Sequence, residues 1–543
     1  MLLTMMGKAI REISRYGTEP DREFKSTTVK LPLISAMQKI LTNDQIRHID
    51  LLTIEKEGIE SEVLMERAGR ACFEKLSEVL LEDFENIIVF AGVGNNGGDA
   101  LVVARYLHVA GFKVRAYVLG TIDQLSPDCR LNLTRLKERG GDLRHVLELH
   151  EWPQITLDAL VIDGIFGSGL NRPVEGFLSD CITRINDIQI TVISIDIPSG
   201  MFPSQSPKAG MAIVRATQTI AFETPKLVFF MPDCSEFVGE WVLVDTGLDQ
   251  QFIDEAECIN YSVNTIDSNI ALSFSRKKFD HKGTFGHAMI VAGSRGKMGA
   301  AVLATKAALS SGCGLTTAMT PKCGEQILQI SAPEAMCLMD SEFDHVTCLP
   351  SLIGIDALGI GPGLGQNEPT VKMLESLLKA SEIPMVIDAD ALNIMASIPN
   401  GIKLVKRNSI LTPNVKEFEC LFGTSKSDLD RIELLRSQAK DHGIYIILKG
   451  AHSALATPSG EIYFNNTGNP GMATGGSGDV LTGIITGLLA QSKNPFHSAL
   501  VGMYIHGLAG DIAAERDGQS GLLASDIIDH IGLASNEIFK SKQ

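Results

Sequence analysis

One pattern recurs along this chain and constrains its fold more than any other. A short apolar run ends in a glycine-bearing polar turn, and a helix-spaced stretch follows. It appears as "IIVFAG" before "VGNNGGDALVVARYL", then at "ALVIDGIFGSGL" and "ITVISIDIPSG". After a polar, acidic interval it restarts with "HAMIVAGSRGKMGAAVLATKAALSSGCG", "LGIGPGLG", "PMVIDADALN", "SILTPNVKEFECLFG" and "IYIILKGAHSALATP". Strands alternating with helices predict α/β architecture with parallel, doubly wound sheets. Ligands of such sheets bind beyond the carboxyl ends of the strands. Asn95, Asn96, Asp99, Asp163, Asp196 and Ser199 fall at or just past those ends.

A chain of 543 residues is too long for one core. The pattern divides it into a first domain over 37–255, a linker over 256–275 and a second domain over 276–543. Thr42 with Gln45 forms a capping box at a helix start. Leu64, Ala68, Cys72, Leu76 and Leu80 then recur every four residues as an apolar stripe. Residues 1–36 stand outside the pattern and read as an N-terminal extension, disordered or foreign to the natural chain.

The formal charge of −17 disfavours nucleic acid as a partner. No apolar run reaches the ~18 residues of a membrane helix, so no membrane role is expected. The N-terminus lacks the apolar core and cleavage site of a signal peptide. Ten cysteines without a CxxC pair fit reduced thiols in a cytoplasmic protein.

In the second half, "GNPGMATGGSGDVLTG" pairs glycines with a carboxylate at a helix start. Backbone N–H groups of Gly475, Gly476, Ser477 and Gly478 would hold an anion there. No GKS or GKT follows, so it is not a Walker loop. Asp479 fits a base that takes a proton from a substrate hydroxyl beside that anion. A bland reading makes it a helix-start residue stabilised by the dipole. Lys449 and Gly450 end a strand where a nucleotide phosphate would be met, or form a surface turn. Gly359 to Gly365 is richer in glycine than a mere connection needs. Asn414 and Glu417 suit capping.

In the first half, Gly92, Gly94 and Gly97 fit a dinucleotide fingerprint imperfectly, with two asparagines intruding. Oxygens of Asn96, Asp163 and Ser199, from three strand ends, suit a hard cation, although each of these residues also suits a cap or turn.

Together these motifs resemble the bifunctional NAD(P)H-hydrate repair enzymes, over roughly Gln38 to Ile538. In the first half the resemblance rests on "GNNGGDALVVARYL", "VIDGIFGSGLNRPV" and "ISIDIPSGM". In the second it rests on "HKGTFGHAMIVAGSRGKMGAAVLATKAALSSGCGL", "GIGPGLG", "LTPNVKEF", "LKG" and "NPGMATGGSGDVLTGIITGLLAQ". It implies a Rossmann-like three-layer αβα epimerase domain fused to a ribokinase-like αβα dehydratase domain. The implied substrates are NADHX and NADPHX, in which water has added across the C5–C6 bond of the nicotinamide ring. The first domain would interconvert the R and S hydrates at C6. The second would dehydrate the S hydrate at the expense of ADP, with ATP less favoured and Mg2+ accompanying the nucleotide.

Carried onto this chain, the resemblance makes Asn96, Asp163 and Ser199 potassium ligands. It places the epimerase substrate against Asn95, Asn96, Gly97, Gly98, Asp99, the loop Gly167, Ser168, Gly169, Leu170, Asn171, Arg172 and Pro173, and Asp196. Asp163 is also the candidate for proton transfer. In the second half, Ala300, Gly363, Asn414 and Asp479 would meet the substrate, with Asp479 catalytic. Lys449, Gly450, Ala451, His452, Ser453 and Gly475 to Gly478 would meet the nucleotide. A homo-oligomer is expected of such enzymes.

Two positions depart from the family pattern. Asn414 stands where the family usually has histidine, with Lys416 where glycine is common, and Ser477 replaces the usual threonine. Asparagine keeps hydrogen bonding but cannot titrate near neutral pH, so a proton-carrying role at that position would be lost. The rival reading is a ribokinase-like small-molecule kinase fused to a binding module; it leaves the first domain without a catalytic purpose.

Overall fold

A computed structural model describes residues 37–79, 84 and 86–539. The extension 1–36 and Leu80 lie outside the described residues. Two compact units emerge, one over 39–258 and one over 259–539, with residues 37–38 grouped with the second.

The first unit is built on strands β2 (Asn86–Ala91), β3 (Lys113–Leu119), β4 (Asp142–Val146), β5 (Ala159–Gly164), β6 (Val192–Ile195), β7 (Gln218–Phe222) and β8 (Glu240–Val244). They form one parallel sheet in the order β4-β3-β2-β5-β6-β7-β8. Ile87, Val89, Leu160, Ile162 and Ile193 face one core, which holds Cys72, Phe73 and Leu76 of helix Ser61–Val79. Their neighbours Ile88, Phe90, Val161 and Val192 face another, with Ile182 and Ile185 of helix Phe177–Asp187. Burial on both faces is why these strands read as unbroken apolar runs. The chain leaves β2 for β3 on one side and returns to β5 on the other. This reversal opens a crevice between β2 and β5 at the strands' carboxyl ends. Thr42 caps helix Asn43–Glu57 with the capping box read from sequence.

The second unit's sheet takes β1 (Met37–Lys39) as an edge strand. Its other members are β9 (Asn260–Val263), β10 (His287–Val291), β11 (Leu315–Thr320), β12 (Met336–Met339), β13 (Ala357–Ile360), β14 (Met385–Ile387), β15 (Ile410–Leu411), β16 (Tyr445–Leu448), β17 (Ala454–Ala456) and β18 (Ile462–Asn465). The order is β1-β9-β18-β17-β16-β15-β14-β13-β10-β11-β12, and β17 runs antiparallel to both neighbours. The segment 256–275, read as a linker, contains β9 and the short helix Ser268–Leu272. Its Val263, Ile266 and Ile270 are buried in the second core, a short apolar contribution that the surrounding polar residues hide from a periodicity search. Met37, read as opening the first domain, belongs to this sheet instead. Strand order reverses again between β10 and β13, which marks the second crevice.

Candidate functional site

In the first unit, the adjacent strands β2, β5 and β6 deliver the predicted residues to one crevice. The β2 turn starts helix Asn95–Val109, burying Asn96, Gly97, Gly98 and Asp99 while Asn95 stays exposed. The amide of Asn96 donates to Ile195 O at 3.3 Å, and its Oδ1 is buried without a hydrogen-bond partner. An orphaned buried carbonyl oxygen is costly, and a cation would satisfy it.

Asp163, at the end of β5, is fully buried. It accepts from Ser194 Oγ (2.8 Å), Ser199 N (2.9 Å), Ser199 Oγ (2.5 Å) and Ile165 N (3.2 Å). Burial raises its pKa, against the opposing pull of these donors. A carboxylate so enclosed cannot reach a substrate proton. These bonds pin the ends of β5 and β6 to one another through Asp163.

Asp196 ends β6 with φ +69°, a left-handed backbone that non-glycine residues seldom adopt. That turn aims its carboxylate back into the crevice, where Oδ2 accepts Ser168 N at 2.7 Å and Oδ1 pairs with Lys226 Nζ at 2.8 Å. Burial works to raise its pKa, but the Lys226 ammonium and the Ser168 bond hold it below the ordinary carboxylate value. Gly167 is required here, because a Cβ would stand 2.9 Å from Asp196 Oδ2 and 3.1 Å from Asn96. Ser168 and Leu170 are half-buried, whereas Gly169, Asn171, Arg172 and Pro173 are exposed on the rim. Three ionisable groups escaped the sequence reading: Asp50, Glu223 and Lys226. Their signal was the positive φ at Glu223 and the helix stripe of Asp50, neither legible without tertiary placement.

In the second unit a cavity of about 510 Å³ brings together Ala300, Gly363, Gly475, Gly476 and Asp479 with Lys297, Asp390 and Glu417. Gly476 caps helix Ser477–Ser492 at φ +94°. The first N–H groups of a helix have no acceptor one turn back, so they face whatever anion enters. Gly483 and Gly487 let this helix close on Ala304 and Ala308 of helix Met298–Ser310, fixing where its N-terminus points.

Burial and the Asp388 carboxylate push the Asp479 pKa up to about 6, against the Lys449 ammonium. Lys449 pairs with Asp388 Oδ1 at 2.8 Å and lies 3.9 Å from Glu417. A Cβ on Gly478 would sit 3.3 Å from Lys449 Nζ, so the ammonium stands over the helix start. Burial alone would lower the Lys449 pKa, but Asp388, Glu417 and Asp479 raise it and keep the charge. Asp388 and Asp390, missed in the sequence, follow β14 around Ala389 at φ +50°. Asp390 accepts Gly365 N at 2.8 Å and pairs with Lys297 at 3.2 Å.

Asn414 does not line the cavity. It caps helix Val415–Phe422 in a capping box with Glu417, and Glu417 is the residue that reaches the cavity. Gly450 N bonds Ser453 Oγ at 3.3 Å in an exposed turn, next to Ala451, while His452 bonds Asn465 O at 3.1 Å. Among the described residues no group of three or more His, Cys, Asp or Glu side chains could hold a metal, and no helix is long and apolar enough to cross a membrane.

Comparison with known proteins agrees with this division. A family model described as NAD(P)H-hydrate dehydratase matches residues 288–532, and one described as YjeF-related protein N-terminus matches residues 61–228. The bifunctional NAD(P)H-hydrate repair enzyme Nnr of Moorella thermoacetica is 35% identical over 508 residues, covering 91% of this chain and 96% of the relative. The Coxiella burnetii enzyme of the same name is 32% identical, over 92% of this chain and 100% of its own length. The crystal structure of the ADP/ATP-dependent NAD(P)H-hydrate dehydratase from Bacillus subtilis, co-crystallised with ATP and Mg2+, is 29% identical and covers 51% of this chain and 99% of that one, with a TM-score of 0.44. The relatives span both units of this chain, which therefore belongs to the family of bifunctional NAD(P)H-hydrate repair enzymes.

Proposed function

We propose that the chain repairs hydrated nicotinamide cofactors through two active sites, one in each unit. The first interconverts the R and S forms of NADHX and NADPHX at C6. The second returns the S form to NADH or NADPH at the expense of ADP, with ATP the weaker alternative. The observation that carries the reading is Asp479, a carboxylate with its pKa near 6, sharing one cavity with a glycine-rich helix start. A lone kinase reading leaves the crevice at Asn96, Gly167 and Asp196 unused.

Hydroxide is a poor leaving group, so the C6 hydroxyl is phosphorylated before it departs. Asp479 takes its proton, being ionised at neutral pH yet basic enough to accept one. The helix N–H groups at Gly475 to Gly478 and the Lys449 ammonium steady the phosphoryl charge. Phosphate then leaves from C6 as C5 loses a proton, restoring the C5–C6 double bond. The turn from Gly450 to Ser453 borders the nucleotide. Asp388 and Asp390 are already engaged by Lys449, Thr482, Lys297 and Gly365, so Mg2+ would rely mainly on the phosphates it accompanies, where it would offset their charge.

Potassium fits the first crevice through Asn96 Oδ1, with Asp163 and Ser199 bringing carboxylate and hydroxyl oxygens to the same strand ends. It would supply a fixed positive charge there. The ten free cysteines support a cytoplasmic setting. A homo-oligomer accords with the habit of soluble enzymes.

The test is direct. The purified chain is given mixed R and S hydrates of NADH, and the near-ultraviolet absorbance of NADH is followed with and without ADP. Full, ADP-dependent return of NADH is expected. Recovery that halts at the S fraction removes the epimerase assignment, and no recovery with either nucleotide removes the dehydratase assignment.

A further inference from the structure

The epimerase reading leaves one chemical demand unmet. C6 of the hydrate bears both a hydroxyl and the ring nitrogen N1, so it is a hemiaminal carbon. Inverting it without redox chemistry means opening and reclosing the ring. The hydroxyl loses its proton, its electrons form the C6 carbonyl, and the C6–N1 bond breaks. N1 keeps that electron pair and takes a proton. Rotation about C5–C6 and the reverse steps close the ring on the other face, and atoms and electrons balance. The site must hold a group that accepts a proton and then returns it. Asp163 is fully buried behind four donors and cannot serve.

Helix Asn43–Glu57 supplies the candidate. Asn43, Arg47 and Asp50 recur at i, i+4 and i+7, which puts them on one stripe of the helix. Asn43 Nδ2 bonds Ser168 O at 2.9 Å, and a Cβ on Gly169 would lie 2.8 Å from an Arg47 nitrogen. That stripe therefore covers the 167–169 loop, the same loop whose Ser168 N–H is held by Asp196. Asp50 is half-buried there and makes no hydrogen bond among the described residues.

We infer that Asp50 is the proton-transfer group of the epimerase site, working beside the fixed Asp196–Lys226 ion pair. The inference rests on the epimerase reading above. Asp196 is occupied by Lys226 and Ser168, and Glu223 by Thr246, while burial raises the pKa of the more enclosed Asp99 well above the usual carboxylate value and disfavours the ionised form a proton acceptor needs. Burial, Asp196 and Glu223 raise the Asp50 pKa to about 6, while Lys226 and Arg47 oppose them. Asp99 also faces it across the crevice. Near neutrality Asp50 is mostly ionised and ready to accept the hydroxyl proton, and its acid form then protonates N1. Lys226 acts through Asp196, keeping that carboxylate ionised and out of the proton traffic.

The experiment follows R-to-S conversion directly by chromatography of the two NADH hydrates, using the full chain and its Asp50→Asn, Asp50→Glu and Lys226→Arg variants. Asp50→Asn should lower kcat on the order of 10² to 10⁴-fold with little change in KM. The wild-type rate should fall as pH drops through about 6, and this limb should vanish in Asp50→Asn. Lys226→Arg, which keeps the charge, should retain most of the rate. If Asp50→Asn does not fold, Asp50→Glu decides: a displaced acid limb supports the assignment, and an unmoved one overturns it. A wild-type rate in Asp50→Asn also overturns it. Should the wild-type chain itself fail to interconvert the hydrates, the epimerase reading falls first.

Discussion

Lys449 Nζ lies 2.8 Å from Asp388 Oδ1, and the other oxygen of the same carboxylate accepts Thr482 Oγ1 at 2.6 Å. One buried carboxylate thus ties the end of β16 to the helix that begins beside Asp479. The pair holds the lysine over Gly478, and the ammonium offsets the carboxylates of Asp388, Glu417 and Asp479.

Replacing Asp388 with Asn therefore perturbs position and proton affinity together. A lysine displaced by an ångström is enough to lower dehydration by about 10²-fold. The pH effect has a definite sign. Asp388 raises the Asp479 pKa, so its loss moves the acid limb of dehydration below its wild-type midpoint near 6. A pH–rate profile of S-hydrate conversion checks this, and an unmoved limb would count against Asp479 as the titrating base.

Gly167→Ala is a steric test of the first crevice. The added methyl meets Asp196 Oδ2 at 2.9 Å and Asn96 at 3.1 Å, both held by their own hydrogen bonds. Epimerisation should fall by about 10²-fold while dehydration, carried out in the other unit, stays at the wild-type rate. Equal loss of both activities in the variant would point to general misfolding.

Asp99→Asn should stabilise the first unit while harming its activity. Burial, then Asp196, Asp50 and Asp128, hold the Asp99 pKa well above 3.8. The folded state thus keeps a proton that the unfolded chain releases above about pH 4, and stability falls as pH rises through that window. The amide removes the penalty. Urea denaturation from about pH 5 to 8 should show a variant advantage that grows with pH, alongside slower epimerisation. An advantage that shrinks with pH would reverse the sign of the argument.

Much of this was legible in the sequence for a physical reason. Strands buried on both faces must be apolar throughout, so β2, β5, β6, β10, β13 and β16 stood out, and their polar turns marked both crevices. Asp479 was readable because glycines beside a carboxylate suit few other arrangements. Asp50, Lys226 and Asp388 were not, because each looks locally like an ordinary helix or turn residue. They acquire a role only when separate segments meet. Asn414 carried two readings, a substrate contact from the family motif and a cap from its local sequence; its Oδ1 does cap the helix by accepting Glu417 N. The segment 256–275 misled through its polarity, since four apolar residues, Val263, Ile266, Ile270 and Phe274, anchor it.

Helix Pro495–Asp517 grips both ends of the glycine-rich loop. Asp511 accepts Gly468 N at 2.8 Å and Asn469 Nδ2 at 2.9 Å, and His506 Nε2–H donates to Ser477 O at 2.9 Å. Burial pushes the His506 pKa down to about 4, so it stays a neutral donor across the working range. Asp511→Asn leaves one loop donor without its acceptor, at a cost of about 1–3 kcal/mol, and should slow dehydration more than it weakens substrate binding. His506→Ala should likewise lower kcat, yet leave the acid limb near 6 in place, because that limb belongs to Asp479. Loss of the limb in His506→Ala would transfer the titration to the histidine. Retention of full activity in both variants would mean that Gly475 to Gly478 hold their geometry without this helix.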